Sequence, residues 1–243
     1  MVPIEPPMAV RLKRMLASIG ALRRTWYLAI ALRDVLRWRP VTQSRYTEIF
    51  TQRRDPFGYE GKGFEFEKFQ AAIGLLDDAR NDACFELAWE IGCAEGAFTT
   101  QLAPICERLI AVDYIPLALE RARARCGEFS NISFTEWDLK ADPAPGSFDL
   151  IVIMDVLGLF GRRRDIRRAR DKVVSALAPG GYLLFGDCLG DLYRRRIEGS
   201  WWARLLLRGP RNIHHFVAAH PALVEVARRE TSMHLLALFR NRR

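Results

Sequence analysis

The sequence predicts an α/β fold with a seven-stranded, mostly parallel sheet, helices on both faces, an antiparallel C-terminal hairpin and an N-terminal helical extension. Two observations predict it. From residue 62 onward, short apolar runs alternate with amphipathic helical stretches, which is typical of a parallel sheet buried on both faces. The last two strand-like runs are separated by only a few polar residues, which indicates an antiparallel pair.

The composition indicates a folded chain of the cytoplasm. Its 243 residues suit one α/β domain with an added element, and 49% hydrophobic residues are enough for a full core. The five cysteines are scattered and include no C-x-x-C pair, which disfavours both a disulfide framework and a zinc site. We therefore expect a protein of a reducing compartment that uses no metal.

The N-terminal segment, residues 1–54, carries the net charge. It holds eleven Lys and Arg residues against three Asp and Glu residues, whereas the charges of residues 55–243 cancel. We therefore divide the chain into a basic extension, 1–54, and a main domain, 55–243. A neutral main domain disfavours a nucleic-acid partner, because phosphate neutralisation supplies most of the affinity of such enzymes.

Apolar residues recur at helical spacing between residues 8 and 38 of this extension. Two interpretations stay open. The apolar stripe packs on the main domain and covers its pocket, or it contacts an anionic membrane surface as a peripheral element. The run from Trp201 to Arg208 has the same aromatic, apolar and basic mixture. The most apolar run of the extension, Trp26–Leu32, is too short to span a bilayer, which takes ~20 residues.

The elements of the main domain are predicted from apolar periodicity. The first is a helix over Phe64–Leu76. The predicted strands are Cys84–Ile91, Arg108–Val112, Ile132–Trp137, Phe148–Met154, Gly181–Phe185, Leu223–Arg229 and His234–Phe239. Helices are predicted between them at Ala97–Cys106, Pro116–Cys126 and Asp165–Leu177. The Pro-Gly-Gly sequence at 179–181 predicts a turn before the fifth strand.

The strongest local signal is the sequence E-I-G-C-A-E-G at 90–96, between the first strand and a helix. Gly92 and Gly96 let a ligand approach the backbone closely, and the following helix start offers unpaired N–H donors. The dinucleotide pattern G-x-G-x-x-G is not met, because positions 94 and 97 are alanine. The turn therefore predicts a ligand site that differs from a nicotinamide-dinucleotide site.

Acidic residues stand at the ends of the next three strands. Asp113 can accept hydrogen bonds from both ribose hydroxyls of an adenosine ligand. Asp138 can bind the adenine amino group, with Trp137 or Leu139 against the ring. Asp155 is expected at the mouth of the pocket. For Asp113 and Asp138, helix capping or an ordinary loop position remains the alternative.

From about Ser44 to Phe239 the sequence resembles the class I S-adenosylmethionine-dependent methyltransferases, and within them the nodulation protein S family. The residues 90–96 are similar to their E/D-x-G-x-G-x-G pattern, with Ala94 in place of the middle glycine. Further likenesses are Asp55–Tyr59, Cys106–Asp113 and Ala118–Arg123. The resemblance implies a Rossmann-like fold, S-adenosyl-L-methionine as cofactor, and an Asp55–Tyr59 segment that helps to close the cofactor pocket.

The resemblance also implies methylation of an amino group on a chitooligosaccharide-type sugar. The residues alone leave the acceptor open as a small molecule, a sugar or a lipid-linked compound, methylated on nitrogen or oxygen. Phe57 replaces the family's usual tryptophan, and the segment 158–161 also departs from the family. The expected cofactor-binding residues are Tyr59, Glu90, Gly92, Cys93, Ala94, Gly96, Asp113, Tyr114, Asp138, Leu139 and Asp155.

Methyl transfer is an in-line displacement, so alignment of the reactants is the main requirement. A hydroxyl acceptor also needs a general base, whereas an amine needs only to lose a proton. Asp155, His214 and His215 are the expected catalytic residues, with Asp187 and His220 as further candidate bases and Tyr46 as an aromatic lining residue. That His214 and His215 are ordinary surface histidines in a loop-like stretch remains the alternative.

The sequence disfavours two other functions. A nucleic-acid or protein methyltransferase is disfavoured because the sequence lacks an Asn/Asp-Pro-Pro-aromatic motif and a Pro-Cys nucleophile motif. A noncatalytic adenosine-binding scaffold is disfavoured by the intact Gly92, Gly96 and Asp113.

Overall fold

The computed structural model describes residues 42–59, 63–160, 163–188 and 210–243. The predicted basic stripe of residues 8–38 and the Trp201–Arg208 run lie outside the described residues. Among the helices that are described, none is long and apolar enough to cross a membrane.

One mixed sheet forms the centre of the domain, with the strand order β3-β2-β1-β4-β5-β7-β6. Strands β1 to β5 run parallel, and β7 runs antiparallel to both β5 and β6. This confirms the predicted fold class, including the C-terminal hairpin. The strands are β1 Ala88–Ile91, β2 Leu109–Asp113, β3 Ile132–Glu136, β4 Phe148–Met154, β5 Leu177–Cys188, β6 Leu223–Glu230 and β7 His234–Asn241.

Helices cover both faces of the sheet. They are α1 Gln43–Gln52, α2 Phe64–Arg80, α3 Thr99–Leu102, α4 Pro116–Arg125, α5 Arg163–Ser175 and α6 Pro210–Ala218. The predicted helix at Ala97–Cys106 is only one α-helical turn that tightens into a 3-10 turn, because Pro104 has no N–H to continue the ladder. Helix α1 was not predicted, although Thr42 accepts a hydrogen bond from the Arg45 amide as its N-cap.

The apolar side chains form a large core on each face of the sheet. On one face the fully buried Trp89 of β1 stacks on Phe148 at 5.1 Å and meets Trp137 edge-on at 4.8 Å between ring centroids. On the other face helix α2 buries Phe69 and Leu76. The inner strands β1, β2 and β4 therefore have no solvent-facing side, which agrees with their continuous apolar runs, whereas the edge strand β3 is partly exposed.

The start of β5 differs from the prediction. The strand begins at Leu177, and the Pro-Gly-Gly sequence forms an irregularity inside it: Leu177 pairs with Phe148, but the next pair is Tyr182 with Leu150. A Cβ on Gly181 would lie 3.0 to 3.1 Å from three backbone carbonyl oxygens. Glycine is required here because the bulged chain passes so close to β4.

Arg121 of α4 fixes the segment that follows α1 to the main domain. Its guanidinium donates to the carbonyl oxygens of Phe50, Arg53 and Arg54 at 2.8 to 3.2 Å. It also forms an ion pair at 2.5 Å with Glu95, whose side chain is 1% exposed. Residues 50–54, placed by sequence in the extension, thus pack against the domain that begins at residue 55.

We expect Arg121→Met to lower the free energy of unfolding by about 3 kcal/mol, since it leaves the buried Glu95 carboxylate and three carbonyls without their donor. Urea denaturation measures the change. Arg123→Met on the same helix, which removes one bond to the Phe134 carbonyl, is the matched control and should cost about 1 kcal/mol or less. Equal losses in the two variants would contradict the assigned role of Arg121.

Candidate active site

A cavity opens at the carboxyl ends of β1 and β4. In a parallel sheet this is where a ligand site is expected, because the connections on the two sides of β1 leave in opposite directions. Its lining comes from the segment before α2, from α2 itself, from the turn after β1 and from the end of β4. The lining residues are Tyr59, Lys68, Phe69, Glu90, Ile91, Gly92, Cys93, Ala97, Phe98, Val152, Met154 and Asp155.

The turn after β1, called the glycine turn below (residues 92–96), is held in left-handed backbone conformations. Gly92, Ala94 and Gly96 have φ angles of +80°, +47° and +77°. A Cβ at Gly92 would lie 2.5 Å from a Val156 methyl, and a Cβ at Gly96 would lie 3.1 Å from the Cα of Ala122. Both glycines are therefore needed for conformation and for space, as the sequence predicts.

Ala94 occupies a conformation that disfavours a Cβ by roughly 1 to 2 kcal/mol. We expect Ala94→Gly to raise the free energy of unfolding by up to about 1 kcal/mol, because relief of this strain exceeds the entropy cost of glycine. The matched control is Ala71→Gly within helix α2, which should lose about 1 kcal/mol. Thermal unfolding should show that Ala94→Gly raises the stability and that Ala71→Gly lowers it. Destabilisation by Ala94→Gly would contradict the backbone strain assigned to Ala94.

Asp113, at the end of β2, ties the glycine turn to the neighbouring strand. One carboxylate oxygen accepts from the Ala94 amide at 3.0 Å and the other from the Ile115 amide at 2.9 Å. The side chain is 8% exposed, and burial raises its pKa although both amides lower it. Each oxygen keeps a lone pair for a further donor, so the geometry is compatible with the predicted ribose contact.

Two aromatic residues lie beside Asp113. Tyr114 and Tyr46 meet edge-on at 6.2 Å, and the Gln43 amide of α1 donates to the Tyr114 carbonyl at 2.6 Å. Burial, together with the charges of Asp113 and Asp155, raises the pKa of Tyr46 to about 12. Helix α1 thus brings an aromatic hydroxyl close to both acidic residues.

The two residues proposed to flank an adenine ring, Trp137 and Leu139, both follow β3 and are both largely buried. Trp137 is buried against Trp89 and donates its indole N–H to the Pro143 carbonyl at 2.9 Å, so its ring belongs to the core. Leu139 is also largely buried, at 6% exposure. Asp138 accepts from the Lys140 amide at 2.8 Å and retains its second oxygen for another donor.

The Asp55–Tyr59 segment forms a side-chain-capped turn. Asp55 accepts from the Gly58 and Tyr59 amides at 2.8 and 2.9 Å, and Gly58 has a φ of +77°. The turn directs Tyr59 into the cavity wall, where it stacks on Phe69 with 5.9 Å between ring centroids. Phe57 contacts Tyr59 and is 41% exposed.

Glu90 lies buried at the base of the cavity. Thr99 donates its hydroxyl to the Glu90 carboxylate at 2.6 Å. Burial raises the pKa of Glu90 to about 7, against the lowering effect of the Thr99 hydrogen bond. The carboxyl group therefore changes charge near neutral pH.

This shift makes stability depend on pH. The folded-state pKa of Glu90 lies near 7 and the ordinary carboxyl value is 4.5, so the group favours the folded state below pH 4.5 and loses that contribution as the pH rises to 7. We expect the free energy of unfolding of the wild type, relative to Glu90→Gln, to fall across that range and then level off. Urea denaturation in a pH series tests this, with the exposed Glu86→Gln as control, which should run parallel to the wild type.

Asp155 forms the centre of a charged group that the sequence did not predict. Its Oδ2 lies 2.7 Å from the Lys68 ammonium, which also contacts Glu65, while His234 Nε2 lies 3.4 Å from Glu65. Burial lowers the pKa of Lys68, but the charges of Asp155 and Glu65 outweigh it and raise the pKa overall. Burial raises the pKa of Glu65, but His234 and Lys68 outweigh it and lower the value overall.

The oxygen and nitrogen atoms of Glu65, Asp155 and His234 lie within 4.8 Å of one another, a spacing that would suit a metal ion. The Lys68 ammonium already lies between the two carboxylates, so a cation from solution would have to displace it.

The histidines singled out by sequence lie elsewhere. The stretch that holds His214 and His215 is helix α6 rather than a loop. His214 is buried, pairs with Glu225 at 2.7 Å and packs against Phe239, while His215 is exposed. His220 lies beside Asp171, and Asp187 is buried next to Gly158. None of these four residues lines the cavity, so Asp155 is the one predicted base that does.

Comparison with known proteins gives one family. The model of the Nodulation protein S (NodS) family matches residues 47–202. Nodulation protein S of Bradyrhizobium diazoefficiens is 37% identical over 141 residues, covering 58% of this chain and 66% of that protein. Nodulation protein S of Rhizobium tropici is 39% identical over 133 residues, 55% of each chain. The aligned region thus spans less than two thirds of either relative.

Two solved structures of methyltransferases are also similar to this chain. The N-methyltransferase NodS from Bradyrhizobium japonicum WM9, in complex with S-adenosyl-L-homocysteine, matches with a TM-score of 0.69 and 33% identity, over 83% of this chain and 99% of that one. An O-methyltransferase family protein from Burkholderia thailandensis has a TM-score of 0.62 and 17% identity, over 90% of this chain and 70% of that one, and shows likeness of fold alone.

Proposed function

The chain belongs to the nodulation protein S family, and we propose that it is an S-adenosylmethionine-dependent methyltransferase acting on an amino group of a small, sugar-type acceptor. The family match covers more than half of the 243 residues. The observation that carries the proposal is the cavity at the ends of β1 and β4, which the glycine turn and Asp155 both line. Asp113 holds that turn in place.

The residues around the cavity fit the cofactor. The glycine turn exposes backbone to the cavity at Gly92, and Asp113 presents carboxylate oxygens to ribose hydroxyls at the tip of β2. Glu90 and Tyr59 suit the methionine end, since both line the cavity. When bound, S-adenosylmethionine supplies a methyl group on a positively charged sulfur. Further proposed cofactor contacts are Cys93, Ala94, Tyr114, Asp138, Leu139 and Asp155.

A nitrogen acceptor suits the side chains that line the cavity. Among the residues that the structure describes, those lining the cavity include no histidine that could take a proton from a hydroxyl group, and the Asp155 carboxylate is already paired with Lys68. An amine attacks with its lone pair and needs mainly alignment. The Bradyrhizobium japonicum relative is an N-methyltransferase, which supports the same choice.

We further propose a cytoplasmic location and a peripheral contact with a membrane surface. The scattered cysteines support a cytoplasmic enzyme, and the basic apolar stripe of residues 8–38 supports a peripheral contact with an anionic membrane that holds a lipid-linked acceptor.

Calorimetric titration with S-adenosylhomocysteine tests the cofactor site. We expect saturable binding by the wild type and about a hundredfold or greater loss in Asp113→Ala, since two charge-assisted hydrogen bonds disappear. Asp78→Ala, which removes a carboxylate that is 70% exposed on helix α2, is the matched control and should bind like the wild type.

A folded wild-type protein that does not bind S-adenosylhomocysteine would exclude the proposed function. Equal affinity of the Asp113→Ala variant and the wild type would remove Asp113 from the site and leave the function to be carried by the glycine turn alone.

A further inference from the structure

One wall of the cavity carries a compact group of charged side chains, which we call the Asp155 cluster: Glu65 and Lys68 from α2, Asp155 after β4, and His234 at the start of β7. Lys68 and His234 are 4% and 2% exposed, and the Glu65 and Asp155 side chains are 20% and 32% exposed. Lys68 and Asp155 line the cavity directly. The cluster therefore borders the space in which methyl transfer is proposed.

The charges within this cluster do not balance. Two carboxylates face one ammonium group, and the pKa shifts of Glu65 and Lys68 both favour their charged forms. The two carboxylates thus exceed the one ammonium group by one negative charge beside the cavity. An anionic wall of this kind favours a ligand group that carries positive charge.

Asp155 has an oxygen to offer to such a group. Its Oδ2 is held by Lys68, whereas its buried Oδ1 has no hydrogen-bond partner among the described residues. His234 Nε2 lies 3.9 Å from Asp155 Oδ2 and 3.4 Å from Glu65. A buried acceptor without a donor costs free energy, so a donor supplied by a ligand would be favoured.

The backbone of Asp155 is also unusual. Its φ of +57° is a left-handed conformation, which aspartate tolerates better than most residues, and its amide donates to the Gly186 carbonyl at 2.9 Å. This conformation fixes the direction of the carboxylate at the end of β4. Strained backbone that is held by its surroundings is concentrated at ligand sites.

We propose that the Asp155 cluster is the subsite that recognises the amino group of the acceptor, with Asp155 Oδ1 accepting its N–H and the net negative charge offsetting the positive charge on its nitrogen. The proposal rests on the proposed function. Before the reaction the bound ammonium group gives one proton to solvent; the nitrogen lone pair then forms the N–C bond, the C–S bond breaks and its electron pair stays on sulfur. The nitrogen then carries the positive charge until a proton leaves to solvent.

A hydroxyl or an amide presents no cationic nitrogen to this wall. The cluster thus gives a physical reason for amine selectivity that does not involve the glycine turn or Asp113, although Asp155 is also a proposed cofactor contact. Glu65 and His234 would act as positioning residues, since they touch Lys68 and Asp155 and do not line the cavity.

The test compares two probes on the protein saturated with S-adenosylhomocysteine. One is chitotetraose with a free amino group on its non-reducing glucosamine, and the other is fully N-acetylated chitotetraose. We expect the wild type to bind the free amine about tenfold tighter or more, the worth of one charge-assisted hydrogen bond. Asp155→Asn and Glu65→Gln each neutralise the extra charge and should reduce that preference to about threefold or less.

Glu67→Gln is the matched control, because it makes the same charge change at an exposed position on the same helix. Its preference for the amine should equal that of the wild type. Asparagine also tolerates left-handed backbone, so Asp155→Asn is expected to fold. Glu65→Gln leaves the cavity lining intact. If one of these two variants fails to fold, the other still tests the subsite. With an active preparation, the two variants should raise the KM for the amine acceptor more than they lower kcat.

The outcomes separate this inference from the proposed function. Loss of S-adenosylhomocysteine binding in the wild type would overturn both. Normal cofactor-product binding with no preference for the free amine, or a preference that both folded variants retain, would overturn the amine subsite and leave the methyltransferase assignment in place. A Glu67→Gln variant that also loses the preference would show a general charge effect and would likewise overturn the subsite.

Discussion

The hydrogen bond from the Ala94 amide to the Asp113 carboxylate is the contact on which the site depends. It joins the turn after β1 to the tip of β2, the two places that a nucleoside ligand must bridge in this kind of sheet. Because three residues of that turn have positive φ angles, the turn has little intrinsic preference for its shape. A buried carboxylate that accepts its amide supplies the missing constraint, and the cavity beside it is open because the turn is held there.

Two acidic residues with different surroundings, Glu90 and Asp155, lie at the carboxyl ends of the strands. Glu90 lies deep, carries a raised pKa and is satisfied by a neutral hydroxyl, whereas Asp155 is paired with a lysine. Burial therefore works against a negative charge on Glu90, whereas the Asp155 carboxylate has a cationic partner.

The sequence was sufficient for the features that depend on local pattern. The strand Phe148–Met154 and the glycine turn were placed correctly, because a buried parallel strand is a continuous apolar run and because left-handed turns select glycine. Asp113 and Asp155 could be found for the same reason, since they directly follow such strands. Irregular β5 was mistaken for a turn followed by a strand, because a Pro-Gly-Gly sequence ends most strands and only the close passage of β4 shows that it forms a bulge here.

The features that depend on contacts between distant segments could not be predicted. Lys68 and Asp155 are 87 positions apart, and a lysine on an amphipathic helix is ordinarily solvated. His234 was read only as the first residue of a strand. His214 is a candidate base by residue type, yet its buried ring forms a hydrogen bond with Glu225. In each case the role of the side chain depends on the residue that it contacts in the folded chain. Sequence periodicity does not identify that residue.

Arg121 has a consequence that reaches beyond its own contacts. It holds Glu95, which lies inside the glycine turn, and at the same time the carbonyls of residues 50–54. The shape of the turn and the docking of that upstream segment are therefore thermodynamically linked, and linkage of this kind is reciprocal. A ligand that orders the turn therefore strengthens the attachment of the upstream segment. That attachment, in return, strengthens binding of the ligand by the same free energy.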